Sequence, residues 1–149
     1  MLTFILHGEE ETLGLGAKIS PLMQQGTVML LDGPLGAGKT TLVRGLAYGM
    51  GLSRDYDIVS PTFTLLNIYP TRVPLYHADF YRLSDNDIAD MDIIEQAING
   101  VLVVEWHKKY DFYGDSAWRI NITYQGSEAR IVNLVAPKEM SDKIEALLI

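Results

Sequence analysis

Short runs of apolar residues alternate along the chain with stretches whose apolar positions recur every three or four residues. Residues 28–31 and 101–104 are apolar throughout, the pattern of strands covered on both faces in a parallel sheet. Residues 40–50 carry Leu42, Val43, Leu46 and Ala47 at helical spacing and meet Gly49 and Gly51 as a stop. Residues 3–6 predict a short first strand. Glu9, Glu10 and Glu11 then open a helix whose dipole favours acids in the first turn. Leu13, Ala17 and Ile19 give that helix an apolar face, Pro21 kinks or ends it, and Gly26 closes the segment. Residues 58–75, rich in β-branched residues and prolines, predict strands joined by turns. Ser84 is the expected N-cap of a helix reaching about Ile98, with Asn99-Gly100 as its stop. Residues 118–124 and 129–135 alternate around Gln125-Gly126-Ser127-Glu128 and predict a hairpin, and residues 138–148 predict a closing helix. No internal repeat or Gly/Ser linker divides residues 1–149. The expected architecture is one α/β domain of the P-loop NTPase-like type, three-layered, with a mixed, partly parallel sheet and a C-terminal β-hairpin.

Between the first apolar strand and the helix of residues 40–50 runs Gly33-Pro34-Leu35-Gly36-Ala37-Gly38-Lys39-Thr40, followed by Thr41. This satisfies G-x-x-x-x-G-K-[ST] in its required context, after an apolar strand and before a helix. Glycines let successive N–H groups converge on phosphate oxygens. Lys39 brings positive charge to the β- and γ-phosphates, and the Thr40 hydroxyl is placed to ligate magnesium. The helix dipole points its positive end at the same anion.

Such a loop needs an acid at the end of another buried strand to hold the metal. Glu105 ends the apolar run 101–104, where such an acid is expected, and is favoured over Asp79, which ends a strand-like stretch in His77-Ala78-Asp79-Phe80-Tyr81-Arg82-Leu83; the alternative for each is a surface carboxylate at a strand end. Ser60-Pro61-Thr62-Phe63-Thr64 occupies the interval where a switch commonly meets the γ-phosphate, or else it is a proline turn opening a strand. His77 and His107 stand apart from any cluster and read as structural residues. Trp106 reads as core or interface.

Composition narrows the classes. The chain has no cysteine, which excludes disulfides, thiolate zinc sites and cysteine nucleophiles. The net charge is −7 with basic residues scattered except for Lys108-Lys109, so strong direct nucleic-acid binding is not expected. No apolar run reaches the roughly 18 residues of a membrane span, and the opening residues lack a signal-peptide pattern, so a cytoplasmic location is expected. The Asn-Lys-x-Asp guanine signature is missing, which favours ATP, with Mg2+ and with ADP as product. No arginine-bearing lid of a nucleotide kinase is visible, although a small-molecule or nucleotide kinase stays as the alternative, and a nucleotide-responsive binding module as a third reading.

Four motifs occur in order: the phosphate loop with Thr41-Leu42-Val43-Arg44-Gly45-Leu46, then Ser60-Pro61-Thr62-Phe63-Thr64-Leu65, then His77-Ala78-Asp79-Phe80-Tyr81-Arg82-Leu83, then Val104-Glu105-Trp106. Over nearly the whole chain this resembles the bacterial ATPase subunit of tRNA threonylcarbamoyladenosine biosynthesis, the TsaE (YjeE) family; Glu11-Thr12-Leu13 and Leu15-Gly16 also resemble the family's opening. The resemblance implies a cytoplasmic, Mg2+-dependent ATPase working with the two threonylcarbamoyl-transfer partner proteins. It would touch tRNA only indirectly, through the complex that modifies the adenosine beside the anticodon. It implies that Lys39 and the loop amides bind phosphates and that Thr40 and Glu105 hold the metal. Asp79 matches the family's functional aspartate, Thr62 lies in its switch-like segment, and Thr12 and Arg130 fall where nucleotide-contacting ends occur. After Trp106 the family usually continues with Pro and an acid, then a Leu-Pro pair, whereas this chain runs His107-Lys108-Lys109-Tyr110-Asp111-Phe112-Tyr113-Gly114-Asp115. That difference concerns the surroundings of the metal site, not the phosphate loop.

Overall fold

A computed structural model describes residues 1–84, 86–87, 92–105 and 114–148. Among them seven strands form one sheet: β1 (Leu2–His7), β2 (Val28–Asp32), β3 (Leu66–Tyr69), β4 (Leu75–Asp79), β5 (Val101–Glu105), β6 (Trp118–Gln125) and β7 (Ala129–Val135). Their spatial order is β1-β7-β6-β2-β5-β4-β3. β2 runs parallel to both β5 and β6, and β4 runs parallel to β5, while β1–β7, β6–β7 and β3–β4 are antiparallel. The sheet is therefore mixed, with a parallel centre and an antiparallel hairpin at the C-terminal end of the chain.

The central strands are apolar at every position because each face meets its own core. Met29, Leu31, Val101 and Val103 enter one cluster, together with Leu42 and Leu46 of α2 (Lys39–Gly49), Leu15 and Ile19 of α1 (Glu9–Ile19), and Ile144 of α4 (Ser141–Leu148). Leu30, Ala78, Leu102 and Val104 enter a second cluster on the opposite face, with Ile93 of α3 (Ile93–Gln96) and Ala97 beyond it. β6 differs. Trp118, Ile120 and Ile122 are buried, while Arg119, Asn121 and Thr123 between them are half-buried, the alternation of a strand with one covered face.

α1 ends at Ile19, and Pro21 falls in a 3-10 turn, Ser20–Leu22, as its missing N–H predicts. The expected helix from Ser84 to Ile98 is corrected. Ser84 does act as a cap, since Asp87 N–H donates to its Oγ at 3.1 Å and its own N–H donates to Asp87 Oδ2 at 3.0 Å. Asp92, however, is a turn residue, and α3 spans only Ile93–Gln96 before a 3-10 turn over Ala97–Asn99. Asn86 and Asp87 are helical, while Asp92 is a short polar residue of the kind that competes with helical hydrogen bonds. Positions 85 and 88–91 of that expected helix lie outside the described residues.

α1 and α2 touch backbone to backbone. A Cβ added at Gly45 would lie 2.2 Å from the Leu13 carbonyl oxygen, and one at Gly16 would lie 2.4 Å from that of Leu42. This contact sets α2, and so the loop that feeds it, against the sheet. Gly45→Ala gains about 1 kcal/mol of helix propensity. Forcing a methyl into packed backbone costs about 1–3 kcal/mol, at the upper end here because a carbonyl cannot rotate away. The expected net loss is about 1–2 kcal/mol, read as a lower urea midpoint at unchanged slope.

Candidate functional site

Parallel pairing puts the C-terminal ends of β2, β5 and β4 side by side, with Leu31 opposite Glu105 and Glu105 opposite Asp79. The phosphate loop leaves β2 at this edge, where open α/β sheets present their ligand sites. Gly33 adopts φ 153° and Gly36 φ 79°, conformations that side chains rarely take. A Cβ at Gly33 would also lie 2.3 Å from the Ile122 carbonyl oxygen of β6. Ala37 N–H donates to Pro34 O at 3.1 Å and closes the turn, while the Pro34 ring is exposed.

Three side chains hold the loop by its carbonyls. Lys39 Nζ donates to Gly33 O at 2.7 Å, Tyr124 Oη donates to Leu35 O at 2.7 Å, and Arg130 Nε donates to Ala37 O at 3.1 Å. The Arg130 guanidinium lies 4.4 Å from the centre of the Tyr124 ring, so the β6–β7 hairpin grips the loop as one unit.

The loop separates two clefts, each of about 310 Å3. One is lined by Thr12, Gly36, Ala37, Gly38, Thr41 and Arg130, with Glu9 and Glu128 at its edge. The other is lined by Leu35, Gly36, Lys39, Thr40, Thr62, Asp79 and Glu105, together with Ser60, Tyr81 and Arg82. The residues expected at the nucleotide ends, Thr12 and Arg130, thus gather on one side of the loop. Those expected at the phosphate and metal, Lys39, Thr40, Thr62, Asp79 and Glu105, gather on the other. Gly33 and Pro34 line neither cleft and serve the loop's shape.

Lys39 is 6% exposed. Burial pulls its ammonium below the ordinary lysine range, and the carboxylates of Glu105, Asp79 and Asp32 work against that shift. Asp79 is held twice: Tyr81 N–H donates to Oδ1 at 2.9 Å, and the Thr62 hydroxyl donates to Oδ2 at 3.2 Å. Ser60 Oγ lies 2.9 Å from Thr62 Oγ1. The segment ends at Leu65, whose φ is 67°, with its N–H on Pro61 O at 2.8 Å.

Two participants escaped the reading of the motifs. Tyr124 carried no signal beyond its place in an alternating strand. His77, read as structural, lies with its Nε2 2.9 Å from Glu105 Oε2; its spacing of two residues from Asp79 on one strand places both on one face, which was the available clue. Trp106 and the divergent stretch through residue 113 lie outside the described residues; Gly114–Ser116 forms a 3-10 turn.

Comparison with known proteins bears on the family and the fold. The family described as threonylcarbamoyl adenosine biosynthesis protein TsaE matches residues 6–132. A Nostoc sp. protein named tRNA threonylcarbamoyladenosine biosynthesis protein TsaE is 40% identical over 137 residues, covering 87% of this chain and 83% of that protein. A Treponema pallidum protein of the same name is 42% identical over 107 residues, covering 70% of this chain and 78% of that protein. The crystal structure of Bacillus subtilis YdiB is similar at a TM-score of 0.78 and 28% identity, covering 99% of this chain and 93% of that one.

Removing one hydrogen bond of the grip tests its part in shaping the loop. Tyr124→Phe gives up about 1 kcal/mol locally, so amides of residues 34–38 are expected to exchange with deuterium several-fold faster. The urea midpoint should hardly move, because the Tyr124 ring is 46% exposed.

Proposed function

The chain belongs to the TsaE family, and from that premise we propose that it is a Mg2+-dependent P-loop ATPase supporting threonylcarbamoyladenosine modification of tRNA. The observation that carries this reading is the single cleft in which Lys39, Thr40, Thr62, Asp79 and Glu105 converge behind the phosphate loop. In the proposed mode ATP lies along the loop, with its phosphates at the N-terminus of α2 and its nucleoside toward Thr12, Thr41 and Arg130. Backbone amides and the α2 dipole bind the phosphate oxygens, and Lys39 neutralises charge on the β- and γ-phosphates.

The donors fit magnesium. The Thr40 hydroxyl and the Glu105 carboxylate are hard oxygen ligands, and one or two such groups plus substrate phosphates are what that ion usually takes from a protein. The metal, when bound, neutralises charge on the phosphate oxygens. Asp79 and Thr62 stand where water would approach the terminal phosphate, and Asp79 accepts a hydrogen bond that orients it. ADP and inorganic phosphate are the products.

The two threonylcarbamoyl-transfer proteins are the proposed partners, with tRNA engaged through them. The acidic balance of the chain, net −7, supports this division, since an RNA grip needs positive charge that this protein does not concentrate. Among the described residues no helix is long and apolar enough to cross a membrane, and a cytoplasmic location is proposed with the partners.

Steady-state phosphate release, with and without the purified partner pair, tests the reading. Slow hydrolysis alone and clear stimulation by the pair is expected; equal rates would argue against it, and efficient transfer to a small-molecule acceptor would replace it with a kinase. Lys39→Ala should abolish binding of a fluorescent ADP while far-UV circular dichroism stays native. Glu105→Ala should chiefly weaken Mg2+-supported binding or turnover, and unchanged metal dependence would remove Glu105 from the site.

A further inference from the structure

His77 has no assigned part in the chemistry, yet it is fully buried against an equally buried carboxylate. Its exposure is 0% and that of Glu105 is 2%. Register pairs His77 with Val103 and Asp79 with Glu105, so the imidazole and both carboxylates share one face of the sheet. His77 Nε2 lies 2.9 Å from Glu105 Oε2, while its Nδ1 is buried without a hydrogen-bond partner among the described residues.

That asymmetry selects the position of the proton. With hydrogen on Nε2, the ring donates to the carboxylate and leaves Nδ1 as a bare acceptor. With hydrogen only on Nδ1, a donor would be buried unsatisfied and the Nε2 lone pair would face carboxylate lone pairs. Leaving a buried donor unmet is the more costly state. A hydrogen on Nε2 also occupies Oε2, which fixes the carboxyl rotation and leaves Oε1 as the oxygen available to the cleft that Glu105 lines.

We propose that His77 is a positioning residue for Glu105, whose Nε2–H holds Oε2 so that Oε1 is presented to the magnesium nucleotide. The proposal rests on the role given to Glu105 above. It assigns His77 no contact with substrate and no proton transfer. Its effect is to remove the rotational freedom that a lone carboxylate would have to lose on binding.

The test compares wild type, His77→Leu and His77→Gln by titration of a fluorescent ADP in Mg2+ and in EDTA. The quantity read is the ratio of the two affinities. Gln retains an N–H near the place of Nε2; Leu keeps bulk without a donor. Metal-free affinity is expected to stay within about threefold in all three proteins, since the phosphate loop is untouched. The Mg2+ ratio should fall about tenfold or more in the Leu variant, the usual effect of losing a partner behind a ligand, and largely return in the Gln variant. A Leu variant with the wild-type ratio overturns the proposal, as does a Gln variant as impaired as Leu. Long-range 1H–15N spectra of the wild-type protein decide the matter if the Leu variant does not fold: a proton on His77 Nε2 is expected, and an unprotonated Nε2 overturns it. Wild-type affinity that ignores Mg2+ would instead remove Glu105 from the metal, and His77 with it. Metal dependence kept in both wild type and Leu variant sinks the role of His77 alone.

Discussion

Parallel register across β2, β5 and β4 sets Leu31, Glu105 and Asp79 in one row at the edge of the sheet. Neighbouring strands lie about 4.8 Å apart, so acids distant in the chain become adjacent in space, and the phosphate loop starts two residues beyond the same row. A slip of one residue in β5 would turn Glu105 to the opposite face and empty the site of it. What prevents the slip is the double apolar pattern. Val101 and Val103 belong to one core and Leu102 and Val104 to the other, so any shift would exchange the contents of both. The chemistry at the edge is therefore held by hydrophobic packing well behind it.

The row also explains the electrostatic state of the cleft. Glu105, Asp79 and Asp32 surround the Lys39 ammonium, which burial disfavours and these carboxylates favour. A second cation, the exposed Arg82, stands at the rim. The carboxylates outnumber the buried ammonium, so a phosphate ligand entering this cleft would meet an excess of negative side-chain charge. Loop amides and the α2 dipole offset part of that repulsion. A divalent ion accompanying a phosphate ligand would offset the rest, as the proposed magnesium nucleotide requires.

Local signals were legible in the sequence and non-local ones were not. β2 and β5 were readable because they are apolar at all positions, and the hairpin because Trp118 to Tyr124 alternates. The phosphate loop is written in eight consecutive residues, and the acids at the ends of strands follow from the strands. By contrast, the pairing of β1 alongside β7 leaves no mark in either strand alone. The turn at Asp92 falls on a short polar residue inside a stretch whose apolar spacing reads as helical. Tyr124 and His77 were hidden for a related reason: their partners, Leu35 O and Glu105, are brought to them only by the folded sheet. Arg130, expected at a nucleotide end, lines a cleft together with Thr12. Its hydrogen bond to Ala37 O, which ties the loop to the hairpin, could not be read from its neighbours in sequence.

The two walls of the phosphate cleft are built with unequal firmness. On one side the loop is pinned at the carbonyls of Gly33, Leu35 and Ala37 by Lys39, Tyr124 and Arg130. Ordering a free backbone costs about 1–2 kcal/mol per residue, and a loop already held in shape spares most of that on binding an anion. On the other side Thr62 reaches the site through a hydroxyl bond of 3.2 Å to Asp79, and its segment ends at Leu65 with φ 67°. Such a backbone conformation stores roughly 1–3 kcal/mol, so a rearrangement that relaxes Leu65 recovers energy. A ligand that competed for Asp79 would act on the Thr62 hydrogen bond and not on the three bonds that hold the loop. The asymmetry is one of hydrogen bonding: three side-chain donors hold residues 33–37, and one bond to Asp79 ties Thr62 to the cleft.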